Sequence, residues 1–254
     1  MVEEQPLAGG NINRIVRIGD TVRRPWAAWT PAVHALLRHI RGRGFVGCPE
    51  PLGRDEQGRE AVSYLEGEVG RYPAPDAFRS DAVLESTARL LRAYHDATAG
   101  FAADGPWQLA RRAPEEVICH GDVGPHNSVL RGGRIVAFID FDTAHPGPRA
   151  WDVAYAAYRF APMAAPHSAH GFGDSAAQAA RVRRFCDAYG LDASVSIADA
   201  AIARLEALVE FMRARAAAGD PAYRRNIEAG HLDAYRADIA SIAARRDAFD
   251  GARI

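Results

Sequence analysis

The 254-residue sequence contains no lysine, and all 31 of its basic residues are arginine. Any mechanism that needs a lysine amine is therefore excluded, and an arginine must serve wherever a fixed cation is required. Cysteine is scarce as well. Cys48, Cys119 and Cys186 are odd in number and widely spaced, which excludes a disulfide framework and a zinc-binding pattern. They read as small core residues in a reducing cytoplasm. No apolar run is long enough to cross a bilayer, and the opening MVEEQPLAGG has no basic-then-apolar leader pattern. The formal net charge of −1 supplies no global field that would mark a nucleic acid or a membrane as partner.

What is present is apolar residue in quantity, 48% of the chain. That is enough for a large core in one domain or two lobes. Residues 12–24 read as two short strands about Gly19-Asp20, with no strand expected ahead of them. Thr30-Pro31 opens a helix, Thr as N-cap and Pro in the first turn, with Val33, Leu36, Leu37 and Ile40 as its apolar stripe. Pro49 to Gly58 reads as a loop, Glu60 to Leu65 as a strand, and Arg71 to Pro75 as a Pro-rich linker. Beyond it come a helix from Asp81 to Ala97, a hairpin, and helices over 149–158, 175–189, 197–217 and 223–248. The composition turns from strand-rich to helix-rich at the linker, so residues 1–68 are expected to form a small lobe and residues 69–254 a larger one.

The chemistry concentrates between Cys119 and Asp152, which carries His120, Asp122, His126, Asn127, Asp140, Asp142 and His145. Ser128 to Leu130 and Ile135 to Ile139 are apolar runs, and Gly132-Gly133 between them supplies the positive φ of a tight hairpin turn. Residues equidistant from the turn meet, so Asn127 comes near Asp140, and Asp122 lies on the loop entering the same end. Two carboxylates and an amide converging there suit a divalent cation and an oriented hydroxyl. Two other readings stand beside this one. Asp122 and Asp140 also fit as turn and cap residues. His120, Asp122, His126 and Asp140 also fit as a transition-metal hydrolase site, although no second His cluster accompanies them.

The segments VICHGDVGPHNSVL and VAFIDFDTAHPGPRAWDVAYA resemble the catalytic core of the aminoglycoside phosphotransferase family. That family includes choline-kinase-like and homoserine-kinase-like enzymes and shares the protein-kinase fold. IVRIGDTVRRP, AVSYLEGE and LLRAYHDAT echo its N-lobe hairpin, hinge strand and the helix before the catalytic loop. The resemblance implies an α+β, two-lobe protein-kinase-like fold with a small β-containing N-lobe and a mostly helical C-lobe. It implies an Mg²⁺-dependent kinase that moves the γ-phosphoryl group of ATP or GTP to a hydroxyl of a small molecule. The partners are then a nucleoside triphosphate and a small hydroxylated substrate, and the protein is a cytoplasmic monomer or homodimer. Asp122 is the expected catalytic residue, orienting and deprotonating the hydroxyl. Asn127 and Asp140 are the expected metal ligands, with Asp142 a further metal contact. His120 would anchor the loop and Asp152 would brace it.

The departures fall in the N-lobe. The phosphate-gripping cation of this fold can only be Arg23 or Arg24, and Arg23 is preferred. The acid that should support it from the helix is absent, because Val33 and His34 stand at the expected positions. Glu60 or Glu66 is the candidate replacement. Gly9-Gly10 is a weak phosphate loop, with Gly10 as its contact, and Tyr64 and Leu65 of the hinge are expected to face the nucleotide base. On the acceptor side, Glu206 and Glu210, an aromatic wall of Trp107, Trp151, Tyr155 and Tyr158, and a lid over 163–174 are the candidates. The alternative function is a catalytically inactive, nucleotide-binding pseudokinase.

Overall fold

The computed structural model describes residues 4–7, 15–102, 104–165 and 174–251. Its element order begins with β1 (Gln5–Pro6), β2 (Val16–Ile18), β3 (Thr21–Arg24), α1 (Thr30–Gly42), β4 (Pro51–Arg54), β5 (Glu60–Ser63) and β6 (Glu68–Val69). There follow α2 (Asp81–Ala97), β7 (Val117–Cys119), β8 (Ser128–Arg131), β9 (Arg134–Phe138), β10 (His145–Gly147), α3 (Arg149–Phe160) and α4 (Ser175–Tyr189). The chain ends on α5 (Ile197–Ala217), α6 (Pro221–Glu228), α7 (His231–Ala244) and α8 (Arg246–Asp250).

A five-stranded antiparallel sheet of order β1-β2-β3-β5-β4 makes the small lobe, and the helices make the large one. This is the two-lobe α+β architecture that the resemblance implied. The sheet differs from expectation at both edges. A two-residue first strand, β1, is present and pairs with β2. The loop expected at Pro49 to Gly58 contains β4, which pairs with β5 through a register shift between Pro51 and Gly53. Pro and Gly disguise it in the sequence, since both are tolerated on a bulged edge strand.

Helix α1 buries Val33, Leu36, Leu37 and Ile40, the apolar stripe of its sequence, and also His34. Its N-cap is Trp29 rather than Thr30. The Thr30 hydroxyl instead accepts from the Ala27 amide at 3.0 Å, securing the turn before the helix. Helix α2 is capped by Ser80, whose side chain accepts from the Val83 amide, and its Leu84 and Leu91 are fully buried. Each such leucine contributes about 1.5–3 kcal/mol relative to an exposed one. The last expected helix is broken into α6, α7 and α8. Gly230, at φ 85°, turns the chain between α6 and α7, a conformation that glycine adopts without strain.

The hairpin β8–β9 turns at Gly132-Gly133, with φ of 57° and 72°, the doubly left-handed turn that matches strand twist. β6 joins its free side, pairing Glu68 with Leu130 and Val69 with Val129. The expected cut after residue 68 therefore falls inside a strand of the hairpin's own sheet. β7 and β10 form a separate antiparallel pair that brings His120 and Thr143 to adjacent loop ends.

Candidate active site

The site is built on the loop between β7 and β8. Gly121 stands at φ 84°, and a Cβ there would meet the Thr143 carbonyl oxygen at 2.4 Å, so only glycine fits. Its amide and that of His120 donate to the two oxygens of Asp152 at 2.9 and 2.6 Å. Asp152 is fully buried on α3 and also faces His95 Nε2 at 3.0 Å. Burial works to raise its pKa, but His95, His120 and the Gly121 amide bring it down to about 2. From α5, the buried Arg204 donates to the Gly121 carbonyl at 2.6 Å. His120 spans the loop. Its Nδ1 accepts from the Asp122 amide at 3.3 Å and its Nε2 donates to the Ile139 carbonyl at 3.1 Å. Burial lowers the His120 pKa, in keeping with this neutral tautomer.

This scaffold delivers Asp122. Its Oδ2 accepts from Asn127 Nδ2 at 2.9 Å and from His126 Nε2 at 3.0 Å. Asn127 Nδ2 also donates to the Asp122 carbonyl at 3.0 Å. Both donors fall on Oδ2, and Oδ1 has no hydrogen-bond partner among the described residues. Burial pushes the Asp122 pKa up, but the His126 hydrogen bond, with the charges of His126 and Arg159, brings it down to about 2. A carboxylate that acidic orients a hydroxyl better than it removes the proton in the ground state. The His126 contact with Asp122 is made across the bend at Gly124, ahead of the short 3-10 turn Pro125–Asn127.

Across the hairpin, the Ile139 amide donates to the Asn127 carbonyl at 3.0 Å, which sets Asp140 beside Asn127. Asp140 sits in the left-handed region, at φ 61° and ψ 69°, a strained place for a non-glycine residue. Asp140 Oδ1 lies 2.8 Å from Arg24 Nη1, and Asp142 Oδ1 lies 2.7 Å from Arg24 Nη2. Burial and the neighbouring Asp140 and Glu60 charges push the Asp142 pKa up to about 6 against the pull of Arg24.

Arg24, not Arg23, is thus the cation brought to the site. In the antiparallel register Arg24 faces Glu60 on β5 while Arg23 faces Ala61. Alternation then carries Arg23 to the other side, where its Nε lies 3.3 Å from Asp55. Glu60 accepts from Arg24 Nε and, through Oε1, meets His34 Nε2 at 2.8 Å. Burial raises the Glu60 pKa and these two partners lower it, with a net fall. Arg24, Glu60 and His34 thus form a relay from β3 through β5 to α1. Glu66 is elsewhere, paired with Arg17 at 3.1 Å.

The Tyr64 amide is already used, donating to the Asp20 carbonyl at 2.8 Å, and its ring lies under Arg17 at 3.7 Å. Leu65 is half-buried and makes no backbone hydrogen bond among the described residues. Gly10 and residues 166–173 of the expected lid lie outside the described residues. Glu206 and Glu210 are exposed, and Glu210 meets Arg213 at 3.6 Å. Trp107 packs against Phe101 and Trp151 against Arg112 and Arg204. Trp151 and Tyr155 face a common guanidinium, that of Arg204, at 5.5 and 4.4 Å. No helix among the described residues is long and apolar enough to cross a membrane.

A sequence profile of the phosphotransferase enzyme family matches residues 3–112 and 103–194. The chain belongs to that family. It is 35% identical to the trifolitoxin immunity protein of Rhizobium leguminosarum bv. trifolii, over 75% of this chain and 76% of that one. The fold is similar to that of Plasmodium vivax ethanolamine kinase, with TM-score 0.63, 12% identity and coverage of 93% and 84% of the two chains. It is also similar to aminoglycoside 2'-phosphotransferase-IIIa in its GDP complex, with TM-score 0.60, 16% identity and coverage of 94% and 93%. Those likenesses establish the protein-kinase-like fold.

Proposed function

We propose that this protein transfers the γ-phosphoryl group of ATP or GTP to a hydroxyl of a small molecule, with Asp122 as the catalytic residue. The observation that carries the reading is the placement of Asn127 Nδ2 on Asp122 at 2.9 Å. This bond turns the amide so that its oxygen is free for a metal while fixing the carboxylate that receives the hydroxyl. The donor set of Asn127 Oδ1 and the Asp140 carboxylate, with Asp142 alongside, consists of hard oxygens and fits Mg²⁺. Bound there, the ion would neutralise charge on the phosphates. Arg24 would hold phosphate oxygens with the fork it now gives to Asp140 and Asp142. Asp122 Oδ1 would accept the substrate O–H and align its oxygen on the γ-phosphorus, taking the proton as the new P–O bond forms and the bond from the γ-phosphorus to the β–γ bridging oxygen breaks, releasing the nucleoside diphosphate. The base would lie against Tyr64 and Leu65, with the Leu65 backbone as its hydrogen-bonding edge. Gly10 remains a proposed phosphate contact.

We place the division between a nucleotide-binding N-lobe and an acceptor-binding C-lobe in residues 64–67. This differs slightly from the sequence-based cut because β6 pairs with β8. The relative's name links this family branch to immunity against a toxin. Phosphorylation of a hydroxyl on a toxic small molecule is a chemistry that fits both.

The test is turnover. With Mg²⁺ and ATP or GTP, wild type should phosphorylate a member of a panel of hydroxylated compounds, and Asp122→Ala should lower kcat by on the order of 10³-fold or more. Retained turnover in Asp122→Ala would remove the assignment. Nucleotide binding without any transfer by wild type would favour the pseudokinase.

A further inference from the structure

Among the described residues, three other arginines drawn into the structure are each answered by oxygen through at least one nitrogen. Arg24 has three carboxylates, Arg204 has the Gly121 carbonyl, and Arg245 has Gln178, Ser241 and the Ala164 carbonyl. Arg159, near the end of α3, is different. Its guanidinium lies 4.2 Å from the ring centre of Tyr72, 5.4 Å from that of Tyr155 and 5.6 Å from that of Tyr158. It makes no hydrogen bond and no ion pair among the described residues, and its Nε is buried without an acceptor. Cation–π contact offsets part of the cost of burying the charge, but ring faces do not satisfy N–H donors. A buried donor with no acceptor is destabilising, the more so when charged. The tyrosine rings hold this cation in place and leave its donors idle.

The position of this cage gives it a meaning. The Tyr72 ring lies 5.5 Å from that of His126, and His126 Nε2 lies 3.0 Å from Asp122 Oδ2. Asp122, His126, Tyr72 and Arg159 form a continuous run of side chains, and the Arg159 charge is among those that acidify Asp122. Tyr72 is 43% exposed, so the run opens to solvent. Asp238, the acid at the cage wall, already accepts from the Tyr158 hydroxyl and the Ala165 amide, both at 2.7 Å. The Tyr155 hydroxyl has no hydrogen-bond partner among the described residues and is a further free donor.

We infer that the acceptor molecule carries an anionic group, a carboxylate or a phosphomonoester, which Arg159 binds while Asp122 receives the hydroxyl. This rests on the phosphotransferase reading of Asp122 and deepens it. A planar guanidinium binds either group with two parallel N–H donors. A polycationic acceptor would set like charge against Arg159 at this spot and is disfavoured.

The test uses matched probes: D-glycerate, glycerol 3-phosphate, glycerol, ethanolamine and kanamycin. In the full-length protein with Mg²⁺ and nucleotide, glycerate or glycerol 3-phosphate should raise Tm more than glycerol at equal concentration. The comparison between those two separates carboxylate from phosphomonoester. Arg159→Gln should weaken the apparent Kd for the anion by on the order of 10- to 100-fold. Arg159→Lys should recover part of the loss. Arg112→Gln, which removes an arginine stacked on Trp151 outside the cage, should keep the full shift. If Arg159→Gln does not fold, Tyr72→Leu at the exposed wall serves instead and should weaken the anion shift. Equal shifts for glycerol and the anions, a larger shift with ethanolamine or kanamycin, or an anion shift undiminished in Arg159→Gln or its substitute would overturn the inference. An Arg159-dependent anion shift in a wild type that transfers phosphoryl to no acceptor would instead sink the phosphotransferase reading and leave the anion site standing. Turnover on ethanolamine or kanamycin alone would do the reverse.

Discussion

His34 Nε2 and Glu60 Oε1 lie 2.8 Å apart, with side chains 3% and 1% exposed. The acid that α1 does not supply is carried by β5, and α1 contributes a histidine to hold it. Replacing His34 by Ala leaves Glu60 buried with Arg24 as its remaining partner. We expect a loss of about 1–3 kcal/mol in stability, read from the denaturant midpoint, and a higher nucleotide KM. An unchanged midpoint and KM would mean the relay does nothing for the cleft.

Arg24→Lys keeps the positive charge at this place, yet it should impair the protein. A lysine is a point charge and does not span Asp140 and Asp142 as the guanidinium fork does. kcat/KM for the nucleotide should fall by on the order of 10- to 100-fold, whereas Arg23→Ala, which breaks only the pair with Asp55 on the other side of the sheet, should stay within about twofold. The opposite ranking in steady-state assays would return the phosphate contact to Arg23.

His126→Ala removes one of the two side-chain donors on Asp122 and leaves Asn127 in place. The expected result is a fall in kcat of about tenfold with little change in nucleotide KM. His126→Gln, which keeps an N–H donor, should recover part of it. Equal loss in both variants would argue for a packing role.

Asp152 gives an acid-stability prediction. Its carboxyl is held at about 2 in the folded protein against ~3.9 in an unfolded chain. The depressed value contributes stability that is complete above about pH 4 and is lost as pH falls toward 2, worth about 2–3 kcal/mol. Asp152→Asn should lower stability at neutral pH and flatten the acid limb of a Tm-against-pH curve between those values. An acid limb as steep as wild type would exclude it.

The relation of Asp122, Asn127 and Asp140 was legible from sequence because it is local. A glycine pair closes the hairpin, and pairing outward from the turn brings Asn127 to the chain beside Asp140. The Arg24, Glu60 and His34 relay was not legible, because it depends on a register between β3 and β5. Shifting that register by one residue would send Arg23 inward. β4 escaped notice because Pro51 and Gly53 are poor strand residues tolerated only at a bulged edge. The Arg159 cage draws Tyr72 from the linker and Tyr155 and Tyr158 from α3. Spacing along α3 hints at half of it, while the other half depends on how the linker crosses the helix.

The guanidinium of Arg24 also decides how this protein can be found. Reagents that tag kinases by acylating an amine beside bound nucleotide need a lysine at the phosphates, and this sequence has no side-chain amine at any position. The protein should remain unlabelled in such an experiment even when saturated with nucleotide. Its occupancy has to be followed instead through protection from heat or proteolysis.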